Sequence, residues 1–218
     1  MTTRLLVIAI IAACPVFCTH QAKGQTKPSI DLPKYEVSAD FTSFSISSEQ
    51  THPGIGGRFT YNLNRHVALE AAGYFSPGKC ASCAGEVTGR ITEGLFGVKA
   101  GQRFKKWGIF GKARPGFISF SQGNFDLLPS GGGAFPFTIV TSRLTNSALD
   151  LGGVVEFYPS KRIVLRFDNG VTFNHYGPRT VHSVSVDPVT GSLTPATFTT
   201  SSFTRRIFQF IGGVGFRF

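Results

Sequence analysis

"IGGRFTYNLNRHVALEAAGYF", residues 55–75, decides the fold. Ile55, Gly57, Phe59, Tyr61 and Leu63 share one parity, and Gly56, Arg58, Thr60 and Asn62 take the other. After Asn64-Arg65-His66 the pattern resumes, with Val67, Leu69, Ala71, Gly73 and Phe75 alternating with Ala68, Glu70, Ala72 and Tyr74. A period of two is the mark of a strand, because successive side chains point to opposite faces. Two such runs across a three-residue turn make an antiparallel hairpin with one apolar and one polar face.

The same alternation recurs along the chain, near Tyr35–Thr42, 93–103, 107–117, 149–158, 163–173 and 208–218. Eight segments result, each about ten residues or longer, which is the length a tilted strand needs to cross a bilayer. The connections alternate as well. Those near 47–52, 77–89, 121–145 and 174–202 are long and rich in Ser, Thr, Gly and Pro, and are read as loops, while those at 64–66, 104–107 and 159–162 span a few residues. Short turns on one side and long connections on the other suit a barrel that spans a membrane. The fold class is therefore all-β, an eight-stranded antiparallel up-and-down transmembrane β-barrel.

The polar face adds a second signal. It carries Glu36, Asp40, Glu70, Glu93, Asp150, Glu156 and Asp168, together with Arg58, Lys99, Arg103, Lys112, Arg114, Arg166 and Arg217. The signs balance, although the chain has a formal charge of +10. Charges inside a narrow barrel must be paired or hydrated, so this set reads as a barrel-interior charge network. The alternative is a soluble sandwich whose polar face meets water, but such a face has no need of charge balance. Aromatic residues also gather at the segment ends: Tyr61, Phe104, Trp107, Phe157, Tyr158, Phe216 and Phe218 at the short turns, and Phe44, Phe75, Phe117, Phe173, Tyr176 and Phe203 at the other end. Two such belts are the interfacial girdles of membrane barrels.

The N-terminus reads as an export signal. Arg4 precedes an apolar run from Leu5 to Ala13, too short to span a bilayer, and Ala22-Lys23-Gly24 offers a small-x-small cleavage site. The expected organisation is a cleaved signal peptide at 1–24, a short N-terminal periplasmic segment at 25–33, and the barrel at 34–218. Ile11-Ala12-Ala13-Cys14 also resembles a lipobox, which would make Cys14 a lipidated terminus, with Pro15 an awkward follower. Cys80 and Cys83 read as a small loop disulfide in an oxidising compartment, with free thiols, a metal site or a redox pair as the other readings. An exported basic protein does not meet nucleic acid, so anionic lipid or polysaccharide is the expected partner.

These segments, with the closing strand Phe208-Gln-Phe-Ile-Gly-Gly-Val-Gly-Phe-Arg-Phe218, resemble the small bacterial outer-membrane β-barrels, similar to the eight-stranded OmpA transmembrane-domain and OmpX class. The resemblance implies residence in the outer membrane. It also implies an assembly signal at Phe216 and Phe218, read by the barrel assembly machinery. A monomer without cofactor is expected. Some barrels of this class are lipid A acyl hydrolases that carry a His and a Ser two residues apart on a late strand; here the position two residues after His175 is Gly177, so the nucleophile is missing. His182 and Ser183 fall in the next connection. No catalytic residue and no metal ligand is assigned. A structural or adhesin-like role is expected, with a lipid A-modifying enzyme and a narrow pore as alternatives. Arg90, Arg143, Arg179 and Arg206 form a candidate lipopolysaccharide rim, where charge-assisted bonds to phosphate are strong; the bland reading is that such arginines merely flank the interface.

Overall fold

The structure, a computed structural model, describes residues 33–47, 50–77, 88–129, 137–188 and 191–218. The export segment, Cys14, Cys80 and Cys83 lie outside the described residues. Ten strands follow in chain order: β1 (Tyr35–Ser47), β2 (Gln50–Asn62), β3 (Val67–Ser76), β4 (Thr88–Arg103), β5 (Trp107–Pro129), β6 (Phe137–Phe157), β7 (Ile163–Tyr176), β8 (Arg179–Val186), β9 (Leu193–Thr200) and β10 (Phe203–Arg217). Eight of them close an antiparallel barrel in the order β1-β10-β7-β6-β5-β4-β3-β2, and β8 with β9 forms a separate hairpin within the connection from β7 to β10.

Turn chemistry fixes the short-turn end. The Asn64 side chain accepts hydrogen bonds from the backbone N–H groups of His66 (2.7 Å) and Val67 (2.8 Å), which closes the β2–β3 hairpin. Ser160 does the same for Ile163 (3.1 Å) at the β6–β7 turn. Asn and Ser suit these positions because their short side chains substitute for a backbone turn. Between β4 and β5 the Phe104 N–H donates to Trp107 O at 2.8 Å. The barrel closes between the first and last strands, from Glu36↔Arg217 to Ser45↔Phe208, with reciprocal bonds of 2.9 Å between Tyr35 and Phe218.

Every barrel strand carries exposed apolar residues at outward positions, among them Val37, Phe41, Ile55, Phe75, Phe96, Ile109, Leu149, Phe167, Phe208 and Val214. Inward positions are buried and largely polar. A surface of exposed large hydrophobics around a charged interior is the inverse of a water-soluble protein, and it makes the barrel a transmembrane one. Glycine on the inner face meets tight packing: a Cβ on Gly213 would stand 1.9 Å from Asp40 Oδ1, and one on Gly116 would stand 1.9 Å from Gly94 O. Gly89, with φ of 105°, sits in the irregularity of the β4–β5 ladder between Thr88 and Ile91.

Two expectations need correction. The connections at 121–145 and 174–202 are not irregular loops. Strands β5 and β6 continue as a paired ladder out to Pro129↔Phe137, and β8 pairs with β9 from Arg179↔Thr200 to Val186↔Leu193. These ladders leave the apolar zone, so their Ser/Thr-rich sequences lack the alternation that lipid imposes. The aromatic belts are also thinner than expected. Phe44, Tyr158 and Tyr176 are buried in the lumen. Phe44 and Tyr176 hold the inward parity of their strands, and Tyr158 holds that of β6 one residue past its end.

Candidate functional site: the lumen and the two rims

The fourteen residues of the expected interior network are the buried charged residues of the described chain, seven acidic and seven basic. Strand alternation places them inside, and the barrel brings together residues remote in sequence. Arg166 on β7 is the hub. It donates to both carboxylate oxygens of Glu70 on β3, at 2.9 Å through Nη2 and through a second, shorter contact from Nη1, and to Asp168 Oδ2 at 2.9 Å. In the barrel order β3 and β7 stand four places apart among eight, so this pair spans opposite walls. Lys99 pairs with Glu156 and, at 3.5 Å, with Glu70. Arg114 and Lys112 hold Asp150 at 2.7 and 3.0 Å, and Arg58 holds Asp40 at 3.2 Å.

Toward the short-turn end the network becomes a floor. Arg103 donates to the Tyr158 hydroxyl (3.0 Å) and to Asn62 (3.1 Å), and lies 3.4 Å from Glu36. The Tyr158 hydroxyl donates to Glu156 at 2.7 Å, and the Arg217 guanidinium covers the Tyr158 ring at 4.4 Å. Toward the other end the ions stop at Glu93, whose Oε2 accepts from Gln209 at 2.7 Å and whose Oε1 is buried without a hydrogen-bond partner.

Above this layer lies a part of the interior that the sequence reading missed. Phe44, Tyr74, Ile91, Leu95, Ile118, Phe120, Tyr176, Ile207 and Ile211 pack into one buried apolar cluster. The signal is present in the sequence, since these residues share strand parity with the charged set; taking the apolar face as the outward one passes over them. Ionic floor and apolar lid together fill the lumen, as expected when eight strands leave room for side chains and little else. Removing one partner of a buried ion pair costs about 3–5 kcal/mol, while the pair itself adds little over an apolar substitute. The network therefore specifies one packing more than it adds stability.

The long-hairpin end is built on extension. The β6–β7 ladder stops at Ser147↔His175 and the β4–β5 ladder at Thr88↔Gln122. Beyond them, among the described residues, β5 and β6 pair only with each other, from Asn124↔Ser142 to Pro129↔Phe137. The β8–β9 hairpin leans on this projection. Arg179 donates to the Asn124 side chain, and Asp126 accepts from the His182 N–H at 3.0 Å.

The four candidate rim arginines separate accordingly. Arg90, Arg143 and Arg206 are exposed, with Arg206 lying 6.0 Å over the Phe173 ring on the outer wall. Arg179 is half-buried and clamps the two hairpins, so it serves the fold of the projection and not the rim. His175 lies on the outer surface with Nδ1 3.1 Å from Thr204 Oγ1, and His182 is exposed on β8. Phe216 and Phe218 are exposed at the short-turn belt. Among the described residues no group of three or more His, Cys, Asp or Glu side chains is placed to hold a metal ion.

No protein-family model matches the chain, and no curated protein matches it. Solved structures resemble it in outline. The chain is similar to Neisserial surface protein A (13% identity, 84% of this chain and 96% of that one, TM-score 0.46). It is also similar to Ail of Yersinia pestis, solved with the heparin analogue sucrose octasulfate (10% identity, 84% and 96%, TM-score 0.46). A major outer membrane protein of Thermus thermophilus gives 12% identity over 85% of this chain and 98% of that one, with a TM-score of 0.47. Likeness this distant says nothing of function, and the barrel stands on its own strand pairing.

Proposed function

We propose that the chain is an integral protein of a bacterial outer membrane whose barrel is a rigid base for a projecting, ordered binding surface. The observation that carries this reading is the β5–β6 ladder continuing past the barrel, with β8–β9 braced against β5 and, among the described residues, no strand paired to the outer edge of β6 there. An unpaired strand edge offers a row of backbone donors and acceptors, which natural proteins cover unless it is used. Export through the N-terminal segment and delivery by the barrel assembly machinery, through Phe216 and Phe218, belong to the same reading.

Lipopolysaccharide is the proposed lipid partner at this end. Arg90, Arg143 and Arg206 are the guanidinium groups free to meet its phosphates. The filled lumen supports a scaffold over a pore, and Gly177, two residues after His175 where a nucleophilic serine is wanted, supports a scaffold over an acyl hydrolase.

The test replaces 124–142 by a two-residue Asn-Gly turn. The truncated barrel is expected to keep its heat-modifiable gel shift while cells displaying it lose surface adherence; equal adherence by both forms would overturn the reading. Changing Arg90, Arg143 and Arg206 to Gln is expected to lower co-purifying lipopolysaccharide several-fold, and an unchanged amount would reject that partner.

A further inference from the structure

The short-turn end carries a charge distribution that the projecting surface does not explain. Lys34, Lys105, Lys106, Lys161 and Arg162 are exposed there, and Arg65 is partly so. Of the described Asp and Glu residues only Asp126 and Asp187 lie outside the lumen, and both belong to the β5–β6 and β8–β9 hairpin end. Among the described residues this end therefore exposes six cations and no Asp or Glu side chain.

The cations are set against an aromatic belt. Lys105 and Lys106 form the tip of the turn between Phe104 and Trp107, whose rings stack at 4.3 Å. Lys161 and Arg162 follow Phe157 and precede Ile163, all outward and exposed. The Lys34 ammonium lies 5.8 Å over the Tyr61 ring. Tyr35 contacts Tyr61 at 5.4 Å and Phe218 at 5.9 Å, and Phe218 contacts Phe216 at 6.2 Å. Aromatic rings settle at the boundary of the hydrocarbon. A bilayer about 40–45 Å thick with a core of about 30 Å leaves roughly 5–8 Å for the headgroups on each side. Two extended residues beyond a belt ring reach about 7 Å. The ammonium and guanidinium groups thus stand at the depth of lipid phosphate.

We propose that this end is a phospholipid collar: its six cations hold the phosphates of anionic diacyl phospholipids in the leaflet it spans, while the belt rings pack on their acyl chains. The collar rests on the barrel spanning a bilayer and is independent of what the projecting hairpins bind. Its preference for anionic over zwitterionic headgroups follows from the excess of positive side chains among the described residues of this end, at about five-fold per engaged cation.

Trp107, the chain's one tryptophan, sits inside the collar and reports on it. The protein is folded into phosphatidylcholine vesicles containing either brominated phosphatidylglycerol or brominated phosphatidylcholine at equal mole fraction, and Trp107 quenching is compared. Quenching by the brominated phosphatidylglycerol is expected to exceed that by brominated phosphatidylcholine, corresponding to a five-fold or greater local enrichment that falls as salt is raised. The variant Lys105→Gln, Lys106→Gln, Lys161→Gln, Arg162→Gln is expected to bring the two lipids to parity. Arg143→Gln with Arg206→Gln is expected to leave the excess unchanged. Equal quenching in the unmodified protein overturns the proposal, and that readout needs no variant. An excess that survives the four substitutions also overturns it. Stoichiometric abolition of the excess by soluble peptidoglycan fragments would reassign the collar to a soluble polyanion. A heat-modifiable shift checked on every sample separates these results from loss of the barrel.

Discussion

Replacing Arg166 with Met tests whether the lumen is dry. In the intact barrel Arg166 makes two bonds to Glu70 and two to Asp168. Coulomb's law at the 2.9 Å of the Nη2–Oε2 contact gives about 6 kcal/mol at an effective dielectric of 20 and about 1.4 kcal/mol in bulk water. Arg166→Met leaves two carboxylates short of their main partner in a filled interior, and the expected loss is about 3–5 kcal/mol. Lys99 at 3.5 Å and Arg114 at 3.6 Å still face Glu70, so the lower half of that range applies. Adding Glu70→Gln removes one stranded charge and restores the balance of signs. The double variant is expected to recover at least about 1 kcal/mol relative to Arg166→Met, a coupling typical of residues in one network. The assay is urea unfolding of the barrel in bilayers, with stability read from the midpoint at constant slope. A loss under about 1 kcal/mol, or no recovery in the double variant, would mean that water screens these ions and that the lumen is not filled by side chains alone.

Gly213→Ala places a methyl group where the Asp40 carboxylate now lies, whereas Gly153 has nothing within 4 Å; the first change is expected to cost about 1–3 kcal/mol and Gly153→Ala to fall within about 0.5 kcal/mol of zero, both by the same urea titration. Asn64→Ala removes the side-chain oxygen that accepts two backbone hydrogen bonds in the β2–β3 turn and is expected to cost about 1 kcal/mol for each bond, again read from the midpoint. Deleting Phe218 removes the reciprocal bonds to Tyr35, and the fraction of chain showing a heat-modifiable band after membrane assembly is expected to fall, while an unchanged fraction would count against Phe218 as part of the closing signal.

The barrel is legible because a bilayer writes on both faces of every strand. In "IGGRFTYNLNRHVALEAAGYF" the lipid demands Ile55, Phe59 and Phe75, and the lumen demands Arg58 and Glu70. The closing strand is legible for the same reason, with Phe216 and Phe218 outward and Arg217 inward. Where one constraint lapses, so does the signal. Strands β8, β9 and the ends of β5 and β6 run beyond the barrel wall, where lipid and lumen no longer set an alternation, so "RTVHSVSV" and "LTPATFTT" read as loop. The apolar lid escapes differently: Ile91, Ile118 and Ile207 are apolar on the face expected to be polar, and strand parity outranks composition there. Arg179 looks like any rim arginine, and its clamp to Asn124 depends on a docking between hairpins that no local pattern encodes.

The pairing of Arg166 with Glu70 across the lumen has a kinetic consequence. Its partners are 96 residues apart in sequence and sit on facing walls, so an open sheet, however long, cannot satisfy them. A half-built barrel entering hydrocarbon would carry bare ions with it, a penalty that grows with depth. Insertion and circularisation are thereby tied into a single event. The salt network acts as a latch that rewards the finished ring and rejects the incomplete ribbon, and closing β1 on β10 adds the contact of Arg217 with Glu36 at 3.7 Å.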